Sequence, residues 1–309
     1  MTVQALTLAG VCKTYKGHLS LTSREVIRGL DLQVESGEVF GLLGQNGAGK
    51  TTTIKMILSL IFPDAGDIRI FGQPCGRIEV KRRLGFLPEN PYFYEYLTGR
   101  EFLDFYGQLF GMERGVRRRR ASEVLQKVGM ESRADLPLRK YSKGMLQRIG
   151  MAQALLNDPE LIILDEPMSG LDPIGRREFR DLILELKQRG RTVFFSSHIL
   201  SDAEAICDRV AILKDGRLAR CGRLAELLSS DVRSWEVTLA GPPFEALAAR
   251  GARAEVISAR GAETLLRVGA PQDLDGLLDA ARTAGARLIS VTPRRDTLED
   301  LYLREVAGR

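Results

Sequence analysis

The chain has 309 residues, enough for two domains and a sizeable core. Charged residues make up 28% and hydrophobic ones 44%, the balance of an ordinary globular protein rather than a disordered or membrane-embedded one. A net charge of +5 suits contact with an anionic surface or an acidic partner and is too weak to argue for nucleic acid.

Cys12, Cys75, Cys207 and Cys221 are scattered and form no Cys-x-x-Cys pair, which argues against a zinc site or a disulfide framework and for a reducing cytosol. The N-terminus carries no signal-peptide pattern. No apolar run approaches the roughly 20 residues that span a bilayer; the longest, Ile54 to Phe62, contains Lys55. The chain is not expected to cross a membrane by itself.

In chain order, residues 3 to 40 alternate with period two, first at Ala5 to Leu8 and then at Val11 to Tyr15, and Leu30 to Val34 follows. These predict an antiparallel sheet. Val39 to Leu43 predicts a buried strand, Thr52 to Leu60 a helix, Ile68 to Gly72 a strand, and Leu84 to Glu89 a short strand stopped by Pro88. From about 90 to 140 the texture turns helical. Thr98 with Glu101 three residues on spells a capping box, and Phe102, Phe105, Tyr106 and Leu109 fall at helical spacing. Glu123 to Val128 predicts a second helix, and the run Arg117 to Arg120 before it predicts a solvated helix face, with a phosphate or lipid contact as the other reading.

Leu161 to Leu164 is a continuous apolar run, as for a strand covered on both faces. A helix over Ile174 to Arg189, a strand over Thr192 to Ser196, and a hairpin around Lys214, Asp215 and Gly216 complete a domain that closes near Leu228. Residues 231 to 309 then alternate as strand, helix, two strands, helix and strand, the split-βαβ order, with a last helix at Leu298 to Val306.

Three constellations carry chemistry. Gly44 to Thr52 fits G-x-x-x-x-G-K-[ST] between a strand and a helix. Glycines let the backbone wrap a phosphate chain, its N–H groups form an anion nest at a helix N-terminus, and Lys50 and the Thr51 hydroxyl add a cation and a magnesium ligand. Asp165 and Glu166 end a buried strand, where α/β sheets place ligands; one can hold magnesium and the other orient or deprotonate a water. His198 follows the next strand and reaches the same edge.

With these pieces, residues 1 to about 228 resemble the ATP-binding subunit of an ABC transporter. The resemblance identifies Gly44 to Thr52 as Walker A, Tyr141 to Met145 with Gln147 and Arg148 as the signature region, Leu161 to Glu166 as Walker B, Ser169 to Asp172 as the D-loop and His198 as the switch histidine. It implies an α/β fold, a P-loop ABC cassette with a RecA-like core, an antiparallel β subdomain and a helical arm at about 90–140. A small α+β accessory domain at 231–309 follows, for which a dimerisation or regulatory role is expected.

The same resemblance implies ATP and Mg²⁺ as cofactors. Tyr15, Gly44, Asn46, Gly47, Gly49, Lys50, Thr51, Thr52, Ser142 and Gly144 would hold the nucleotide, with Thr51, Asp165 and Glu89 at the metal and Glu166 and His198 as catalytic residues. Two departures stand out. The signature reads Tyr-Ser-Lys-Gly-Met, and Glu89 replaces the usual glutamine, although a carboxylate can still ligate Mg²⁺.

The implied partners are an integral-membrane permease and a second ATPase subunit, in a homodimer or heterodimer, with no nucleic acid. The implied location is the cytoplasm, at the inner face of the cell membrane through the permease, and the implied work is transport, in the export direction. Tyr92, Phe93, Tyr94 and Tyr96 either contact that permease or pack the arm. The alternatives are a soluble ABC ATPase acting on ribosomes or nucleic acid, which would carry two cassettes or a long coiled-coil insert, and a kinase, which would leave His198 and the signature unexplained.

Overall fold

A computed structural model describes residues 4–16, 23–228 and 232–307. The chain divides into two compact units, the first reaching to Leu224 and resuming from Glu305, the second Ala225–Arg304. Residues 229–231, where the expected domain boundary falls, lie outside the described residues.

The first unit begins with a four-stranded antiparallel sheet, built by β1 (Gln4–Lys16), β2 (Ser23–Glu35), β4 (Ala65–Ile70) and the short β5 (Gln73–Pro74), in the order β2-β1-β4-β5. The two alternating runs read in the sequence are halves of one strand. Gly10, at φ +58°, takes up the register shift between Leu8 and Val11, and its N–H donates to Asp31 Oδ1 at 2.7 Å.

Beside it lies a six-stranded sheet of order β10-β9-β3-β8-β7-β6. Its strands are β3 (Val39–Leu43), β6 (Leu84–Leu87), β7 (Leu161–Asp165), β8 (Thr192–Ser197), β9 (Arg209–Lys214) and β10 (Arg217–Arg223). Every neighbour pair is parallel except β9–β10. Each residue of β3, β7 and β8 is buried, which explains their unbroken apolar spelling. Phe40 of β3 stacks on Phe194 of β8 with centroids 5.8 Å apart, and the core around them extends to Leu6, Ile27 and Ile70 of the antiparallel sheet. Both sheets therefore share one apolar interior.

The helices of this unit are α1 (Lys50–Ile57), α2 (Ile78–Lys81), α3 (Gly99–Leu109), α4 (Arg114–Lys127), α5 (Lys143–Leu155), α6 (Pro173–Gln188), α7 (Leu200–Ile206) and α8 (Leu224–Leu227). The capping box forms: Thr98 N–H donates to Glu101 Oε2 at 2.8 Å, and Glu101 N–H donates to Thr98 Oγ1 at 3.2 Å. The second arm helix starts nine residues before the expected Glu123. Arginine is a good helix former, so a block that lacks apolar periodicity still joins the helix once Ala121, Val124 and Leu125 bury its far end.

The arginine run is also not a uniform solvated face. Arg117 pairs with Asp104 of α3 at 2.8 Å, and Arg120 donates to the carbonyls of Leu155 and Leu156 at 2.9 and 3.2 Å; only Arg118 and Arg119 point to water. Among the described residues, no helix is long and apolar enough to cross a membrane.

The second unit contains β11 (Val232–Ala240), α9 (Phe244–Ala248), β12 (Glu255–Arg260), β13 (Glu263–Val268), α10 (Pro271–Thr283), β14 (Arg287–Arg295) and α11 (Leu298–Ala307), the last of which runs past the unit's edge. Its sheet is antiparallel in the order β12-β13-β11-β14. Val237, Leu239, Leu247, Leu266, Val268 and Leu277 form its own core.

Candidate functional site

β3 runs into the glycine loop, and α1 starts at Lys50. The loop needs its glycines. Gly47 and Gly49 sit at φ +84° and +111°, and a Cβ at Gly44 would stand 2.6 Å from the carbonyl oxygen of Leu213. No side chain caps the N-terminus of α1, which leaves its first N–H groups available to an anion.

Sheet register brings the other groups to the same edge. Leu43 of β3 lies beside Ser197 of β8, and Asp165 of β7 lies beside Ser196. The C-terminal ends of three buried strands thus converge where α/β sheets hold ligands. Lys50 is almost fully buried; its ammonium donates to the carbonyls of Gly44 at 2.7 Å and Gln45 at 3.3 Å and pairs with Glu166 Oε1 at 3.1 Å. The other Glu166 oxygen lies 2.8 Å from His198 Nδ1 and accepts the His198 backbone N–H at 3.4 Å. Glu166 is only 6% exposed, whereas the His198 side chain is 43% exposed, so the carboxylate is enclosed and its partner opens to water.

Asp165 and Glu166 are set by a residue that sequence reasoning treated only as strand. Ser196, fully buried, donates its hydroxyl to Asp165 Oδ1 at 2.6 Å and accepts the Glu166 N–H at 3.0 Å. Glu166 has φ +49°, a left-handed conformation that a non-glycine residue adopts only where its surroundings hold it. Thr51 Oγ1 donates to Asp165 Oδ1 at 3.3 Å. Burial pushes the Asp165 carboxyl above the usual carboxylate range; the Ser196 and Thr51 hydroxyls pull it back, and the neighbouring Glu166 charge pushes it up again. A buried carboxylate served mainly by hydroxyls, with Thr51 beside it, is a hard oxygen donor set of the kind a magnesium ion takes.

Asn46, Gly47, Gly49, Lys50, Thr51, Thr52, Glu89 and Glu166 line one cleft of about 330 Å³, together with Arg24 and Val26 of β2, which sequence reasoning missed. The residues expected from Gly44 to Thr52, Glu89 and the Asp165–Glu166–His198 group are therefore brought together. Tyr15, Ser142 and Gly144 do not line this cleft. Tyr15 stands across the β1–β2 ladder from Arg24 and is 43% exposed. Ser142 caps α5, accepting the Met145 N–H at 3.3 Å, and Gly144 lies in that helix's first turn. Gln147, buried on the same helix, donates to the Pro167 carbonyl at 2.9 Å and ties α5 to the end of β7.

A larger cleft, about 1000 Å³, lies between α3 and α4 and is lined by Tyr94, Tyr96, Phe105 and charged residues. It contains none of the phosphate-loop groups. Of the four aromatics before α3, Phe93 packs on Phe102 at 5.3 Å and Tyr94 on Phe105 at 5.4 Å, while Tyr92 and Tyr96 are 90% and 71% exposed. Packing and exposure are thus divided among them.

Residues 27–169 match the family described as ABC transporter. The chain is 47% identical over 288 residues to an uncharacterized ABC transporter ATP-binding protein of Synechocystis sp., covering 92% of this chain and 79% of the relative. It is 34% identical over 287 residues to Nod factor export ATP-binding protein I of Burkholderia lata, covering 92% of both. Among solved structures it is similar to a dimeric ATP-binding cassette in a post-hydrolysis state bound to ADP and Pi, at 27% identity and a TM-score of 0.65, covering 71% of this chain and 98% of that one.

Proposed function

The chain belongs to the ATP-binding proteins of ABC transporters and is an ATPase that drives transport, and from that premise we propose how its residues divide the work. The observation that carries the proposal is the position of Lys50, held between the loop carbonyls and Glu166 at the edge where Thr51 meets Asp165.

ATP lies along the loop with its phosphates on the backbone N–H groups of Gly47 to Thr52 and its adenine on Tyr15. Lys50 turns from Glu166 to the β- and γ-phosphates. That frees the Glu166 carboxylate to orient a water and take its proton as the water oxygen attacks phosphorus and the bond to ADP breaks. His198 keeps Glu166 in place through the 2.8 Å contact. The Thr51 hydroxyl, the Asp165 carboxylate and Glu89 would hold magnesium, which would supply positive charge against the phosphate oxygens.

Ser142 and Gly144 lie off the cleft of their own chain and are supplied to the γ-phosphate by a second ATPase subunit, a copy or a relative. The similarity to a dimeric cassette supports this reading. A separate integral-membrane permease docks on the arm, at the exposed Tyr92 and at the α3–α4 cleft that Tyr94 and Tyr96 line, and holds the ATPase at the inner face of the membrane. Transport runs outward, a direction supported by similarity over 92% of both chains to an export ATP-binding protein.

The test is Lys50→Ala in the purified chain. It should abolish phosphate release and weaken nucleotide binding, because the ammonium is the loop's only side-chain cation. Turnover at the unsubstituted rate would end the assignment of the loop.

A further inference from the structure

We propose that Arg24 is a substrate-holding residue of this site, gripping the phosphate chain of the nucleotide at its α-phosphate end. The inference rests on the nucleotide reading above and adds a side chain outside every motif on which that reading was built.

Arg24 lies near the start of β2, directly across the ladder from Tyr15. Directly paired residues of an antiparallel ladder project to the same face, so ring and guanidinium flank one surface. Arg24 lines the phosphate-loop cleft, and a Cβ added to Gly47 would stand 3.9 Å from Arg24 Nη2. Its guanidinium therefore reaches Gly47 in the middle of the glycine loop.

Its charge is unspent. Among the described residues no carboxylate pairs with Arg24. Neighbouring Glu25 is engaged with Arg28 at 3.4 Å, and residues 17–22, which precede β2, contain no acid. Asp215, which shares an outer recess with Arg24 and Gly47, forms no ion pair with it. The cleft's other cation, Lys50, already faces Glu166 at 3.1 Å. A polyphosphate entering this cleft thus meets one uncompensated cation, a planar donor fork suited to phosphate oxygens. Base on Tyr15 and β-phosphate in the nest leave the α-phosphate opposite Arg24.

The experiment titrates the full-length chain and its Arg24→Ala and Lys50→Ala variants with ATP, ADP and adenosine by calorimetry. Arg24→Ala should weaken ATP and ADP by the same factor, about three- to tenfold for one exposed charge-assisted contact, and leave adenosine unchanged. ATP and ADP binding as in the parent chain would overturn the proposal. So would an equal loss for adenosine, which would mark a distorted strand rather than a lost phosphate contact. If Lys50→Ala weakens ATP while Arg24→Ala does not, Arg24 alone is excluded; if neither variant affects ATP, the nucleotide site itself falls.

Discussion

Replacing Ser196 by alanine tests whether the acidic pair depends on the serine beneath it. The side chain is fully buried, and its hydroxyl makes two contacts, a donation to Asp165 Oδ1 at 2.6 Å and acceptance of the Glu166 N–H at 3.0 Å. Alanine removes a hydrogen bond to a charged acceptor, worth about 1.5–3 kcal/mol, and orphans a buried N–H, at about 1–3 kcal/mol. Because the two share one hydroxyl, a combined loss of about 3 kcal/mol is expected, read as a lower urea midpoint with unchanged slope.

The effect has a pH signature. Burial raises Asp165 above its unfolded value, so its ionisation alone opposes folding: stability from this group is greatest below the unfolded value and is lost as pH rises through the folded one. Ser196 counters that rise, so its removal lifts the folded value further. The difference between variant and parent is therefore full only where the pH exceeds both folded values. It shrinks as pH falls through them, leaving the Glu166 amide contribution. A loss that stays below about 1 kcal/mol at every pH up to the alkaline plateau, or one that does not change on acidification, would refute the charge-assisted bond.

Glu166→Gln keeps size but cannot accept a proton as a carboxylate does, so hydrolysis should slow by about 10²–10⁴-fold while ATP still binds. Light scattering on the full-length variant should then show a mass increase on adding Mg-ATP that Ser142→Arg reverses; an ATP-loaded variant whose mass does not change would count against a shared site. Gly44→Ala places a Cβ 2.6 Å from the Leu213 carbonyl, and because the obstacle is backbone the loop must move. A stability loss of about 1–3 kcal/mol is expected, with nucleotide binding lost before the fold; equal ATP affinity in the two proteins would show that the loop tolerates the atom.

The parallel strands were legible because burial on both faces forces an unbroken apolar spelling, as in Leu161 to Leu164. What escaped was set by tertiary neighbours. α4 hides its start in arginines that pair sideways with Asp104 and with helix-end carbonyls rather than with each other's apolar faces. β14 runs through Pro293 to Arg295. It lies at the sheet edge, where a residue without an N–H costs no ladder bond, so proline does not end it.

The site divides on the same line. Gly44, Lys50 and Thr51 share one loop, so local spacing revealed them; Asp165 and Glu166 were exposed by a strand that ends in two acids. Ser196 carried a weaker signal that could have been used. A hydroxyl inside a run buried on both faces must find a partner, and here Ser196 finds it in Asp165 at the tip of the adjacent strand. Arg24 carried none, because its meaning comes from standing across a ladder from Tyr15 and above Gly47, and neither relation is written in its neighbours. The Lys50–Glu166 pair joins residues 116 positions apart through the adjacency of β3, β8 and β7. A motif thus announces the groups that touch substrate, whereas the contacts that hold those groups ready belong to sheet order and appear only once the strands are laid side by side.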